Sequence, residues 1–247
     1  MKAMILAAGL GTRMEELTRS TPKPLLPILG IPLLAHTLFF LWKQNCSFAA
    51  INVHYLGEQI EEFIRDFPYF EIQFSREDAL LGTGGGIRTA LEQTALAGQF
   101  WVMNPDCIYD PDFSLGRLEP KLNSTTLAFR PRSPGSLETG FDSASSAEEQ
   151  VFPVHFLEKG TLQYCGLSFQ YASDFSNLLP HIPANVVDGW RTKASKDPSD
   201  LFGFLYDGFY FDAGRKQDYL NLVEREKLFP LTYKAELAEF MKRWKGI

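Results

Sequence analysis

The first twenty-four residues, MKAMILAAGLGTRMEELTRSTPKP, run from an apolar stretch directly into a glycine-bearing, positively charged loop. Lys2 to Leu6 have the character of a buried strand, and Gly9 and Gly11 let the backbone turn where larger residues would clash. Loop N–H groups around Leu6, Ala7, Ala8, Gly9, Gly11 and Thr12 are available to phosphate oxygens. Arg13 supplies a planar fork that clamps two such oxygens, and Lys23 adds a point charge on a segment stiffened by Pro22 and Pro24. A lone Gly-x-Gly after a strand is more often an ordinary tight turn. Arg13 and the Pro-Lys-Pro triplet turn the reading toward a phosphate cradle.

Two familiar cradles fail on spacing. A dinucleotide fingerprint needs a third glycine where Met14 stands, and no Gly-x-x-x-x-Gly-Lys-Ser/Thr run occurs in the chain.

Beyond the loop, strand and helix patterns alternate as in a wound α/β sheet. The patterns predict strands at Ala3 to Ala7, Ala49 to His54, Glu71 to Ser75 and Phe100 to Met103. Helices are expected from Pro32 to Gln44, Glu58 to Phe67 and Gly86 to Ala97. Ligands in such sheets collect beyond the carboxyl ends of the strands, where Gly9, Gly82 to Gly86 and Asp106 fall. From Arg132 to Gln150 the chain is small and polar with no apolar period. It is expected to form a loop, a candidate lid segment, between strands at Thr125 to Phe129 and Gln163 to Phe169.

A net charge of −6 argues against a nucleic-acid partner, so positive charge for phosphate is expected to be local, as at Arg13 and Lys23. Cys46, Cys107 and Cys165 are odd in number and lack metal-ligand spacing, which suits a reducing compartment. No signal-peptide layout precedes the first strand and no apolar run approaches the ~20 residues of a bilayer span. The expectation is a cytoplasmic protein without a membrane partner.

Leu6-Ala7-Ala8-Gly9-Leu10-Gly11-Thr12-Arg13-Met14, with Leu17-Thr18 and Pro22-Lys23-Pro24, resembles the signature of the sugar-1-phosphate nucleotidylyltransferases. The resemblance continues through Ile51 to Leu56, Leu81-Gly82-Thr83-Gly84-Gly85-Gly86, Asn104-Pro105-Asp106 and Phe211-Asp212-Ala213-Gly214, in the family's order. It implies an α/β fold, a Rossmann-like wound mixed sheet of the nucleotide-diphospho-sugar transferase type, with residues 1–247 as a single domain. It also implies an NTP and a sugar 1-phosphate as partners, joined in a nucleotide-sugar as pyrophosphate leaves.

The same resemblance assigns roles. Arg13, Lys23, Asp106 and Asp212 are the implied catalytic residues, with Asp106 and Asp212 holding Mg²⁺, a hard cation that takes one or two carboxylates and keeps several waters. Gly82, Thr83, Gly84 and Gly85 belong to the implied nucleobase loop, where glycines let a flat base approach the backbone. Thr83 is equally suited to cap a helix there. Within the family the chain is similar to the short bacterial N-acetylmuramate α-1-phosphate uridylyltransferases. By that analogy UTP is the favoured donor, and Asn104, Gly140 and Gly166 line the sugar-phosphate side. Guanylyl, cytidylyl and thymidylyl members share most of the signature, so the base stays open, as does the oligomeric state.

Two departures stand out. Asn104-Pro105-Asp106 replaces the family's Asn-Gly-Asp, and Asp212-Ala213-Gly214-Arg215-Lys216 replaces Asp-Val-Gly-Thr-Pro. A non-catalytic nucleotide-sensing paralogue is the alternative they raise, although every charged group of the implied site is retained. His36, His54, His155 and His181 have no metal spacing and read as structural. Gly160 stands where relatives carry proline after Glu158-Lys159, and Lys159 is left outside the site. Glu236 to Trp244 reads as a packing helix.

Overall fold

In the computed structural model of the chain, which describes residues 1–118, 124–132, 140–143, 151–157, 160–196 and 200–246, the first strand lies deep in a sheet. β1 (Lys2–Leu6) pairs in parallel with β4 (Phe48–Val53) on one side and β6 (Gln99–Met103) on the other. β5 (Glu71–Arg76) extends the parallel set outside β4. These inner strands read as near-continuous apolar runs because helices cover both faces; all six residues of β4 are buried.

Successive residues serve opposite faces, as the pleat requires. Ala3, Ile5, Ala49, Ile51, Trp101 and Met103 join the core that contains α1 (Leu33–Lys43). Met4, Ala50, Phe100 and Val102 point the other way, to Ile87 and Ala90 of α3 (Gly82–Gln93). α6 (Leu231–Lys245) lays Tyr233, Leu237, Phe240, Met241 and Trp244 into the α1 side, an amphipathic stripe that ends at Gly246 with φ 73°. It is the packing helix that the sequence predicts, and it begins five residues before the expected start.

The other half of the sheet mixes directions. β11 (Leu162–Tyr171) is antiparallel to both β6 and β8 (Thr125–Pro131), and β12 (Leu201–Leu205) is parallel to β8. β10 (Phe152–Leu157) and β9 (Gly140–Ser143) complete a nine-stranded sheet among the described residues, in the order β5-β4-β1-β6-β11-β8-β12-β10-β9. Two short ribbons stand apart: β2 (Pro27–Ile28) with β3 (Ile31–Pro32), and β7 (Cys107–Tyr109) with β13 (Tyr210–Asp212). α2 (Gly57–Ile64), α4 (Val186–Lys196) and α5 (Lys216–Glu224) complete the α-helices among the described residues.

Four elements differ from expectation. α3 begins at Gly82, so the glycines form the helix's first turns and not a loop ahead of it. The polar stretch 132–150 contains β9, which pairs with β10 along its whole length; residues 133–139 and 144–150 lie outside those described. β10 and β12 lie outside the strands expected above, although FPVHFL and LFGFL are mostly apolar, and they pair with each other and with β8 and β9. For the site, what matters is that the sheet runs outward from β1 to both sides. Ligands collect at such a switch point, beyond the carboxyl end of β1, where the glycine loop begins.

Candidate active site

The backbone leaves β1 under restraint. The Ala7 N–H donates to Asn52 Oδ1 at 2.8 Å, tying the strand's exit to β4. At Gly11 the chain turns with φ 67°, and its carbonyl accepts from Met14 N at 2.8 Å and Thr18 Oγ1 at 3.1 Å. A Cβ at Gly11 would come within 2.9 Å of Thr18 Cγ2, so that glycine closes the loop onto the turn Thr12–Thr18. Gly9 is different: a Cβ there would meet nothing within 4 Å. Over the loop opens a cavity of about 270 Å³. Leu6, Ala7, Gly9, Gly11, Thr12, Arg13 and Lys23 line it, together with Leu10, Pro24, Asn104, Pro105 and Asp106. Ala8 is buried beneath the loop.

The two carboxylates arrive from distant parts of the chain. After β6, Asn104 to Cys107 form a turn closed by Cys107 N donating to the Asn104 carbonyl at 3.3 Å. Pro105 occupies the second position of that turn, where a fixed φ suits and no N–H is required. The substitution of proline for the family's glycine therefore still delivers Asp106 to the cavity. β13 then pairs Asp212 with Cys107, and Ala213 N donates to the Asp106 carbonyl at 2.8 Å.

Lys23 joins the two acids. Its ammonium is hydrogen-bonded to Asp106 Oδ2 and donates to the Gly214 carbonyl at 3.0 Å, while Gly214 N donates to Asp212 Oδ1 at 2.6 Å. A Cβ placed on Gly214 would sit 2.7 Å from Asp212 Oδ1 and 3.6 Å from Asp106 Oδ2. Both carboxylates thus converge on a space kept open by the missing side chain. Hard oxygen donors around such a cradle fit a divalent cation of the Mg²⁺ type, with water completing its shell.

The second glycine-rich stretch faces another way. Gly84 N and Gly85 N donate to the Ala184 carbonyl at 2.9 and 3.1 Å, Ala184 N donates to the Leu81 carbonyl, and Val186 N donates to Thr83 Oγ1 at 3.0 Å. A Cβ on Gly82 would come 2.7 Å from the Ala184 carbonyl, and one on Gly85 would come 2.5 Å from that of Ile182. Gly86 covers a buried bridge in which Asn52 Nδ2 donates to Glu77 Oε1 at 2.7 Å and Leu81 N donates to Glu77 Oε2 at 3.0 Å. Through Asn52 this bridge connects the start of α3 to Ala7 in the glycine loop. Its positioning groups, Asn52 and Glu77, were not assigned roles from sequence. The available signal was a polar residue inside the apolar strand FAAINV.

Gly166 adopts φ 75° and its carbonyl accepts from Asn104 N at 2.9 Å, so it supports the turn that carries Asp106. Gly140 opens β9 opposite Leu157 and is not among the residues that line the cavity. Glu158 and Lys159 lie outside the described residues. The Cys107 thiol beside the acids is pushed well up by burial and by the negative Asp106 and Asp212, which keeps it protonated. Lys216 donates to Glu15 at 2.8 Å and reaches Glu16 at 2.7 Å, tying α5 to the loop. Arg215 is exposed at the N-cap of α5. His36 is buried against Tyr233 and two backbone carbonyls, its pKa lowered by burial to about 4, a structural histidine as expected.

Residues 2–121 match the nucleotidyl transferase family. Over 231 residues the chain is 31% identical to the D-glycero-α-D-manno-heptose 1-phosphate guanylyltransferase of Campylobacter jejuni, covering 90% of this chain and 99% of that protein. Over 118 residues it is 46% identical to the N-acetylmuramate α-1-phosphate uridylyltransferase of Neisseria meningitidis, covering 46% of this chain and 50% of that one. Among solved structures, UDP-glucose pyrophosphorylase from Acinetobacter baumannii superposes with a TM-score of 0.78 at 18% identity, covering 99% of each chain; at that identity the likeness shows the fold. The family match and the full-length relative, not the sheet alone, place the molecule among enzymes that transfer nucleotidyl groups. With the full-length relative beside it, the chain belongs to the sugar-1-phosphate nucleotidylyltransferases, enzymes of nucleotide-sugar biosynthesis. No helix among the described residues is long and apolar enough to cross a membrane.

Proposed function

We propose that residues 1–247 act as one cytoplasmic nucleotidyltransferase domain that moves a uridylyl group from UTP to a sugar 1-phosphate of the N-acetylmuramate type, with Mg²⁺. The observation that carries this reading is the convergence of Lys23, Asp106, Asp212 and Gly214 on one open cradle beside the glycine loop. The preference for uridylyl transfer rests on the 46% identity to the N. meningitidis relative.

A phosphate oxygen of the acceptor attacks the α-phosphorus of the NTP in line, the bond to the bridging oxygen breaks, and pyrophosphate departs. The attacking oxygen is already anionic near neutral pH, so no strong base is needed and catalysis rests on positioning and charge neutralisation. N–H groups from Gly9 to Thr12 and the Arg13 fork steady the β- and γ-phosphates, and Lys23 serves the α-phosphate. Asp106 and Asp212 would hold the cation, which reduces repulsion between the two anionic substrates. The base would be received on the backbone of Gly82 to Gly85 that residues 182–185 leave uncovered, and Asn104, Gly140 and Gly166 belong to the sugar-phosphate side.

A guanylyl donor is the second reading, favoured by the full-length C. jejuni relative. The test incubates purified protein with and without Mg²⁺, the four NTPs and dTTP, and a panel of sugar 1-phosphates that includes N-acetylmuramate 1-phosphate, scoring nucleotide-sugars by mass. UDP-N-acetylmuramate formed only with Mg²⁺ is the expected product. A GDP-sugar moves the assignment to the second reading, and NTP binding without any product supports a sensing paralogue.

A further inference from the structure

Asn52 and Glu77 are buried, at 3% and 5% exposure, and neither lines the cavity over the glycine loop. They nevertheless stand between the two segments that the proposed function gives to the nucleotide. The end of β1 delivers Ala7 to that cavity, and Leu81 comes immediately before the first turn of α3. Glu77 is itself fixed to the end of β4: its N–H donates to the Val53 carbonyl at 3.0 Å, and its carbonyl accepts from His54 Nδ1 at 2.8 Å.

The hydrogen bonds of this bridge have a fixed polarity. Ala7 N can only donate, so Asn52 turns its oxygen toward it, at 2.8 Å. The Asn52 amide then has its NH₂ group left for Glu77, and the second group that reaches Glu77, Leu81 N, is a donor as well. Glu77 must therefore accept on both oxygens, at 2.7 and 3.0 Å. A carboxylate does so, whereas a glutamine amide has one acceptor and one donor end. The residue types are thus set by the direction of the bonds. Gly86 admits the arrangement, because a Cβ there would stand 2.6 Å from Glu77 Oε1 and 2.7 Å from Asn52 Nδ2. Its absence lets α3 lie directly on the bridge.

We propose that Asn52 and Glu77 are positioning residues that fix the spacing between the backbone that receives the base and the backbone that receives the phosphates, an inference resting on the proposed placement of base and triphosphate. A ligand that spans both segments gains from the fixed spacing, because once one half is seated the other is already aligned. A ligand that uses one segment alone gains nothing from it. The glycine loop closes on itself through Gly11, Met14 and Thr18 without the bridge, so its own hold on phosphate survives when the bridge is broken.

The test is calorimetric titration of the full chain with each of the four NTPs, dTTP and inorganic tripolyphosphate, in the wild type, Asn52→Asp, Glu77→Gln and the double variant, with a thermal melt of each preparation. Glu77→Gln leaves one donor without an acceptor, and Asn52→Asp sets two carboxylates face to face. In the double variant the carboxylate at position 52 accepts from Ala7 N and from the amide at position 77, whose oxygen is free for Leu81 N, so every bond is remade. Each single variant should weaken the NTP that the wild type binds most tightly by about tenfold, leave tripolyphosphate within about twofold, and be rescued in the double variant to within about threefold of the wild type. Unchanged NTP affinity in both single variants would overturn the proposal. So would tripolyphosphate weakened as much as the NTP, or a double variant that regains the melting temperature without the affinity, since the bridge would then be scaffold alone. A wild type that binds no NTP more tightly than tripolyphosphate would remove the base from the site and overturn the placement together with the proposal, a failure seen before any variant is compared.

Discussion

The two glycine-rich segments have the same residue type for opposite reasons. At Gly9 the missing side chain faces open space beside the cavity over the glycine loop. At the start of α3 the missing side chains face the protein itself, with the Ala184 and Ile182 carbonyls at Gly82 and Gly85 and the Asn52–Glu77 bridge at Gly86. One segment leaves open space over the cavity, where the proposed function puts the phosphates. The other is glycine so that the chain can close on it, and any base must be received on whatever backbone remains uncovered. Substitutions in the two places should therefore separate function from stability.

The largest separation is expected at the acids that stand with the open loop. Asp212→Asn keeps an oxygen for the Gly214 N–H but removes a negative charge from the cradle. Turnover should fall at least about a thousandfold, ~4 kcal/mol of transition-state stabilisation, with the melting temperature nearly unchanged. Steady-state kinetics beside a thermal melt checks both halves, and wild-type turnover would remove Asp212 from the mechanism.

Gly85→Ala should behave in the reverse manner. Its Cβ would stand 2.5 Å from the Ile182 carbonyl and 3.1 Å from Ala184 N, contacts that backbone cannot relieve cheaply. Overpacking of this kind costs about 1–3 kcal/mol, so urea unfolding should show a lower midpoint with an unchanged slope. If stability holds and only nucleotide affinity drops, the segment serves the ligand after all and the contrast with Gly9 fails.

How much of this was legible in the chain depends on whether a feature is local. Gly9, Arg13, Lys23 and Asp106 stand in short motifs, and the cavity brings them together as the sequence suggests. The parallel strands were equally readable, because burial on both faces writes itself into apolar runs such as β4. What escaped was pairwise. Nothing near Gly82 announces that residues 182–185 will cover it, and the helical start of α3 depends on that contact. The Asn52–Glu77–Leu81 bridge joins three segments through side chains whose separate patterns are unremarkable. β9 is held by backbone pairing to β10, which places little demand on residue type, so a polar stretch concealed it.

Gly9→Ala sharpens the comparison from the ligand's side. The added methyl meets no protein atom within 4 Å, so stability should stay within about 0.5 kcal/mol of the parent. The same methyl enters the space assigned to phosphate, and KM for the NTP should rise about tenfold, a loss of ~1.4 kcal/mol. A melt and a KM measurement on one preparation decide it. A destabilised variant with unaltered KM would place Gly9 in the same structural class as Gly85.

The smallest effect is expected where the chain departs from its family after Asp212. Lys216 reaches Glu15 and Glu16 across the edge of the loop, and Glu15 holds a positive φ of 54° within the turn Thr12–Thr18. Both carboxylates are exposed, and ion pairs in that setting add little to stability because water and salt screen them. Their use is to hold the backbone that carries Arg13 in one place. Lys216→Met should accordingly leave the melting temperature unchanged and raise KM for the NTP by less than about threefold, with kcat preserved. Raising the salt concentration should weaken the wild type toward the variant, since screening removes the same attraction. A large fall in kcat in Lys216→Met would instead put this lysine on the substrates, and the departure from the family pattern would then be part of the chemistry and not of the scaffold.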